Sequence, residues 1–399
     1  MQKNSHRRYR HLFVSLLALL LLTVLTGCQL GDKVEGLLGP EADPIVAGED
    51  IDAKLETKYG RTQLSGDEQI LYDALYTAVA SRQDEVRIKG DITAEELERV
   101  YRYYFSDSPE HFWIEGYRYV TRTESGRVKK VLLDYSGTRG EIEAQSSQLQ
   151  QKLEELDSQM QGQPGDFERS VFVSDYLSAT LQYDTEQAAG ADAYTAYGAL
   201  VQGQAVCQGY AKAAQLLFQQ AGMECLYVRG ESRGERHGWN IVKLEGAYYH
   251  LDPTWNDIQF ESSEQEQGVR NHTYQNITTA DILRDHQIDD SENYPLPDCS
   301  EQALNYYVKN GLQAADFEQI ADRAAEVAAQ NIAAGEDYLE LRFGSKEQAL
   351  ELVESRNAMG RLLGDINYRL NDVQLSYAYS YYLNEEQSTV QIYFQRAES

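Results

Sequence analysis

RHGWNIVKLEGAYYHLDPTWND, residues 236–257, consists of two apolar runs separated by Glu245-Gly246. Read as strand, two-residue turn and strand, it makes a hairpin in which Leu244 faces Ala247 and Trp239 faces Asp252. His237 lies two residues from Trp239 and so points to the same side of the sheet. His237 and Asp252 become diagonal neighbours, with Cα atoms roughly 7–8 Å apart. A slip of one residue would put them on opposite faces. A carboxylate beside an imidazole fixes its tautomer and stabilises the imidazolium, which is what a general base requires. His250 shares the face and is the rival base, but it sits only two residues from Asp252 on the same strand, where side-chain contact is awkward. Asn240 and Asp257 are expected in turn or strand-end roles; His272 and His286, in the loop and helix after the hairpin, have only their residue type to recommend them.

A base of this kind calls for a nucleophile that is near in space, not in sequence. Upstream stands GQAVCQGYAKAAQLLFQQAGMECLYVRG, residues 203–230. The small residues from Gly203 predict an irregular approach. From Cys207 the pattern turns helical, with Tyr210, Ala213, Ala214, Leu216, Leu217 and Ala221 on one apolar face and Gly222 as the stop. MECLYVRG then reads as a buried strand. Cys207 is thereby placed at or just before the first turn of a packed helix, where free N–H groups favour a thiolate and can hold an oxyanion. The competing reading is a small buried residue, as free cysteines often are. That reading holds for Cys225, in mid-strand, and nothing in the sequence favours a function for Cys299.

These motifs resemble the transglutaminase-like superfamily of papain-like cysteine enzymes. The resemblance rests on V-C-x-G-Y-A at a helix start, H-x-W-N on one strand and Y-H-L-D-P-T-W on the next, and covers roughly residues 165–290. It implies a Cys207–His237–Asp252 triad and thioester chemistry on an amide carbonyl. For the second oxyanion donor it leaves Tyr183, in LQYD, and Gln202 or Gln204 open. The implied fold is α+β: a cysteine-bearing helix packed on an antiparallel sheet, flanked by two smaller α+β segments.

At the N-terminus, Lys3, Arg7, Arg8 and Arg10 precede the apolar run LFVSLLALLLLTVLTG, and Cys28 follows Gly27 directly. Leu25-Thr26-Gly27-Cys28 resembles the lipobox of bacterial lipoproteins, which implies cleavage before Cys28, lipidation of its thiol and a place in the cell envelope outside the cytoplasm. The run is short for a membrane-spanning anchor. The expected organisation is a leader over 1–27, a Gly-, Pro- and acid-rich tether over 28–50, an N-terminal α+β segment over 51–160, the cysteine domain over 161–300 and a C-terminal α+β module over 301–399. In the first α+β segment SGDEQILYDALYTAVAS predicts a helix capped by Ser65, with Ile70, Leu71, Leu75 and Val79 on its apolar face. FWIEGYRYV and RVKKVLLDY predict a hairpin, and IEAQSSQLQQKLEELDSQM a long polar helix. In the last, KEQALELVESRNAMGRLLGDI predicts one helix and VQLSYAYSYYLNEEQSTVQIYFQ a hairpin.

The formal net charge of −28 excludes a phosphate-neutralising surface and with it nucleic acid as a partner. With Cys28 lipidated, Cys207, Cys225 and Cys299 remain, an odd count. No pair has zinc-knuckle spacing and H-E-x-x-H is absent, so no metal and no cofactor are expected. The expected partners are the membrane, through the lipid, and a protein or peptide substrate, cleaved by water or transferred to an amine. The alternative is an envelope binding or assembly module that keeps the fold without turnover; the 29 tyrosines, clustered in runs such as YAYSYY, suit either a binding face or ordinary strand packing.

Overall fold

The computed structural model describes residues 53–186, 188–257 and 271–397. Cys28, the leader and the tether lie outside the described residues, and among these no helix is long and apolar enough to cross a membrane.

The N-terminal part contains α1 (Ala53–Glu56), α2 (Tyr59–Thr62), α3 (Asp67–Ala80), β1 (Glu85–Arg87), α4 (Ala94–Asp107), β2 (Ile114–Thr121) and β3 (Val128–Tyr135). The hairpin β2–β3 forms as expected and takes β1 on its far edge, in the order β1-β3-β2. α3 buries Leu71, Leu75 and Val79, but Ile70 is exposed and the N-cap is Gly66, at φ 54°, one residue past Ser65. α4 opens on a capping box: the Glu96 N–H donates to Thr93 Oγ1 at 3.1 Å, and the Thr93 N–H to Glu96 Oε2 at 2.7 Å.

The central part follows as α5 (Arg139–Gln161), α6 (Asp166–Thr180), β4 (Gln182–Tyr183), β5 (Gln204–Ala205), α7 (Cys207–Gln220), β6 (Cys225–Ser232), β7 (Glu235–Leu244), β8 (Ala247–Leu251), α8 (Thr279–Ile282) and β9 (His286–Ile288). Its sheet has the order β8-β7-β6-β9, antiparallel throughout. The turn between β7 and β8 is Glu245-Gly246, at φ 49° and 88°. Two positive φ values give a turn whose twist matches the flanking strands. Pairing runs from Leu244↔Ala247 to Asn240↔Leu251, the register expected from the sequence. Arg233-Gly234, at φ 53° and 83°, closes β6–β7 in the same way.

Period-two alternation divides this sheet between two cores. Leu226, Val228, Trp239 and Ile241 join the N-terminal helices and β-strands, together with Tyr274, Ile277 and Ile282. Cys225, Val242, Leu244, Tyr249 and Leu251 join the apolar face of α7 and α6. α5 spans both, with Ile142 in the first core and Leu149, Leu153, Leu156 and Met160 in the second.

The C-terminal part has α9 (Tyr306–Asn310), β10 (Gln313–Ala314), α10 (Ala321–Ala333), β11 (Tyr338–Phe343), α11 (Lys346–Glu354), α12 (Arg356–Arg369), β12 (Leu375–Asn384) and β13 (Thr389–Arg396) around a third core. Its sheet order is β10-β11-β13-β12. The single helix expected over 346–366 is two: Ser355 is extended, at ψ 109°, and its Oγ caps α12 by accepting from the Ala358 N–H at 3.2 Å.

Candidate active site

Cys207 is the first residue of α7, after an extended Val206 with no side-chain cap. Its approach is set by backbone contacts. β4 and β5 pair in parallel, bringing Tyr183 beside Ala205, two residues from the cysteine. The Val206 N–H donates to Ala193 O at 3.0 Å, and the same carbonyl lies where a Cβ on Gly209 would be, 2.3 Å away. Only glycine at 209 lets that segment lie against the first turn of α7. Asn240 ties α7 to the sheet, its Nδ2 donating to Ala211 O at 3.0 Å and Leu226 O at 3.2 Å. Asp257 accepts from the Tyr210 hydroxyl at 2.7 Å. Both residues thus hold the cysteine helix, a role beyond the turn or strand-end positions expected for them.

The His237 ring is hydrogen bonded to the Cys207 thiol and, through Nε2, to Asp252 Oδ2 at 2.6 Å. Asp252 is fully buried and His237 nearly so, whereas Cys207 is partly exposed. The carboxylate is saturated: Oδ1 accepts from the backbone N–H groups of Thr254 at 2.9 Å and Trp255 at 3.2 Å, a turn closed by an aspartate on its own backbone. Burial pulls the Cys207 thiol upward, but the hydrogen bond and charge of His237 and the Gly238 N–H bring it below its ordinary value. Burial opposes protonation of His237, and the Asp252 charge overcomes it, raising the imidazole to about 10. Burial likewise opposes ionisation of Asp252, and the His237 charge holds it low. These directions favour thiolate and imidazolium over the neutral thiol–imidazole pair. The Gly238 backbone N–H meets the sulfur, and glycine is required there because a Cβ would lie 2.6 Å from the Tyr227 hydroxyl.

The other cysteines behave otherwise. Burial lifts Cys225 well above its ordinary value and Cys299 to about 12. All three described cysteines are free thiols.

Of the oxyanion candidates, Tyr183 is the one tied to Cys207, whose backbone N–H is hydrogen bonded to its hydroxyl; burial and the sulfur's charge raise it. Gln202 donates through Nε2 to Asp192 Oδ2 at 2.7 Å. Gln204 pairs with Gln182 and, one residue from Ala205, points to the opposite side of the β4–β5 pair.

His250, the rival base, is neutral and occupied. Its Nδ1 accepts from Trp239 Nε1–H at 3.0 Å, its Nε2 meets Thr279 Oγ1 at 3.2 Å, and burial depresses it to about 3. His286, expected in a loop or helix, begins strand β9, with Ser232 as its partner on β6. Its Nε2 lies 3.1 Å from Asp252 Oδ2, the atom that His237 also uses. The sequence offered no periodic signal for this short strand, so His286 carried only its residue type. The ligating atoms of His237, Asp252 and His286 lie within 4.8 Å of one another, spacing that could hold a metal ion; the hydrogen bonds of 2.6 and 3.1 Å account for it without one. Trp255 flanks the site, its ring centre 5.8 Å from that of His237 and 3.8 Å from the Arg233 guanidinium.

With this geometry in view, residues 154–253 match the family model of the transglutaminase-like superfamily. That span includes Cys207, His237 and Asp252, and the central part of the chain is a transglutaminase-like domain. Kyphoscoliosis peptidase of Mus musculus is 30% identical over 131 residues, 29% of this chain and 20% of that protein. The match thus spans one fifth of the curated relative. Among solved structures, a TGase aligns over 46% of this chain and 52% of its own, at 13% identity and TM-score 0.26. A candidate cysteine protease from Cytophaga hutchinsonii aligns over 32% and 51%, at 13% identity and TM-score 0.24.

Proposed function

We propose that the chain is a cysteine-dependent acyl-transfer enzyme, tethered to the envelope by lipid on Cys28 and acting on amide bonds of proteins or peptides. One observation carries the chemistry: a partly exposed thiol at a helix start, hydrogen bonded to an imidazole that is itself 2.6 Å from a buried carboxylate. The Cys207 thiolate attacks the amide carbonyl. The Tyr183 hydroxyl, which accepts from the Cys207 backbone N–H, donates its own proton toward the negative oxygen as it forms. The His237 imidazolium gives its proton to the leaving amine, and a thioester remains on Cys207. Water or a second amine, deprotonated by His237, resolves the thioester. Asp252 keeps the imidazole in the tautomer that both steps use.

The test is substrate-independent at its first stage. The full chain is treated with iodoacetamide from pH 5 to 9 and the modified cysteine is mapped. Selective, early labelling of Cys207 supports the reading. A Cys207 that labels only on unfolding favours the alternative, a binding or assembly module. At the second stage, mixed peptides with and without an amine acceptor separate hydrolysis from transamidation by product mass. The anchor has its own test: Cys28→Ala should release the chain from membranes, and equal membrane retention would exclude lipidation at that residue.

A further inference from the structure

The carboxylate of Asp252 serves two imidazoles. Oδ2 is 2.6 Å from His237 Nε2 and 3.1 Å from His286 Nε2. The remaining nitrogen of His286, Nδ1, lies 2.7 Å from Asp285 Oδ1. Both nitrogens of a buried ring therefore face carboxylates. An ionised carboxylate only accepts, so each nitrogen must carry a proton. The groups around the ring agree. Asp285 is held by the Tyr274 hydroxyl at 2.5 Å and by Gln387 Nε2 at 3.2 Å. Asn384 Nδ2 donates to the Tyr274 hydroxyl at 3.0 Å. Two cationic rings, His237 and His286, then stand with centroids 5.4 Å apart across one carboxylate.

We propose that His286 is a positioning residue, held as an imidazolium between Asp252 and Asp285, which shares the Asp252 carboxylate with His237 and so limits how tightly Asp252 holds the His237 proton. The proposal rests on the reading of Cys207, His237 and Asp252 as the reacting unit. Its logic is that of like charges: a cation 5.4 Å away disfavours a second cation. Without it, His237 would keep its proton to higher pH and give it up less readily to a leaving amine. The titratable and charged groups facing His286 are Asp252 and Asp285, His237 and His250 from β7 and β8, Tyr274 from the loop before α8, and Arg233, whose charge acts on Tyr274. Burial opposes the charge on His286, and the hydrogen bonds to Asp252 and Asp285 raise it above its ordinary value.

His272 is a built-in control. It too lies between carboxylates, with Nδ1 3.1 Å from Glu340 and Nε2 3.0 Å from Asp175, but none of its contacts involves the triad.

The experiment compares alkylation of Cys207 in the full chain by anionic iodoacetate and neutral iodoacetamide across pH. The anionic reagent is favoured while His237 is charged, so the rate ratio falls where His237 loses its proton. In His286→Gln, whose amide keeps an N–H for Asp252 without the charge, the midpoint of that fall should move up by about one pH unit. His272→Gln should lower stability and leave the midpoint in place. An unmoved or lowered midpoint in a folded His286→Gln variant, or an equal shift in His272→Gln, overturns the proposal. If His286→Gln does not fold, Asp285→Asn decides. It removes the charge that sustains the imidazolium, so it should also move the midpoint up, and no upward movement overturns the proposal. A wild-type Cys207 that reacts like an ordinary thiol would instead overturn the proposed function itself.

Discussion

At the level of single residues, the chemistry turns on which group holds which proton. Cys207 sits below its ordinary value despite burial, and His237 sits at about 10. The thiolate therefore persists to lower pH than that of an ordinary cysteine and is lost as pH falls through the lowered thiol value. Alkylation at pH 6 should be much faster at Cys207 than at Cys225 or Cys299, as peptide mapping would show. His237→Ala should slow it at that pH, because the proton acceptor and the stabilising cation leave together. Asp252→Asn should slow turnover by about 10⁴-fold, the scale seen when a triad imidazole loses its orienting carboxylate. Its effect on thiol labelling should be smaller, since the imidazole remains within reach of the sulfur. Steady-state kinetics on any peptide that the wild type cleaves would measure the first, and the labelling profile the second.

The elements place these residues through two devices, a turn and a tie. The turn is Glu245-Gly246. Gly246, at φ 88°, has no steric objection to the left-handed region, whereas Gly246→Val should cost about 1–2 kcal/mol there. Its hairpin also sets the register: inserting one residue into the turn would send Asp252 to the face away from His237. Such an insertion should abolish early Cys207 labelling in a chain whose far-ultraviolet dichroism is retained. The tie is Asn240, whose amide spans the Ala211 and Leu226 carbonyls. Asn240→Ala leaves two buried carbonyls short of a donor, a loss of about 1–3 kcal/mol in urea unfolding.

For the whole molecule, the flanking parts brace the site. At the N-terminal side, the α4 carbonyls of Phe105 and Ser106 accept from Lys212 of the cysteine helix, at 2.6 and 3.1 Å. A helix C-terminus is a natural place for a cation. Burial nonetheless drives this amine well below its ordinary value. At the C-terminal side, Arg342 pairs with Asp281, Gln387 and Asn384 hold Asp285 and Tyr274, and Glu340 pairs with His272. A chain ending at residue 300 should therefore lose the fast-labelling state of Cys207. The His272 pair also has a pH signature. Burial disfavours its charge, but Glu340 and Asp175 raise it to about 10, above the unfolded value of about 6.5. Its stabilisation is complete below the unfolded value and is lost as pH rises toward 10. The stability lost in His272→Gln should thus be larger at pH 6 than at pH 10, as urea melts at the two pH values would show.

What was legible in the sequence was local or periodic. The two-residue turn, the period-two alternation and the apolar face of the Cys207 helix specify the hairpin register and the helix start, because each depends on neighbours a few residues away. That was enough to bring His237 and Asp252 to one face and to single out Cys207. Ser355 was not legible as a break, because a cap competes with helix continuation by a margin that spacing does not report. His286 and Asp285 were not legible either. Their partners, Asp252 and Gln387, lie 34 and 102 residues away, and a three-residue strand has no period to read. The sequence by itself determined the candidate reacting groups and the faces they share. Only the tertiary structure decided which histidines face carboxylates, because those carboxylates are delivered by distant segments.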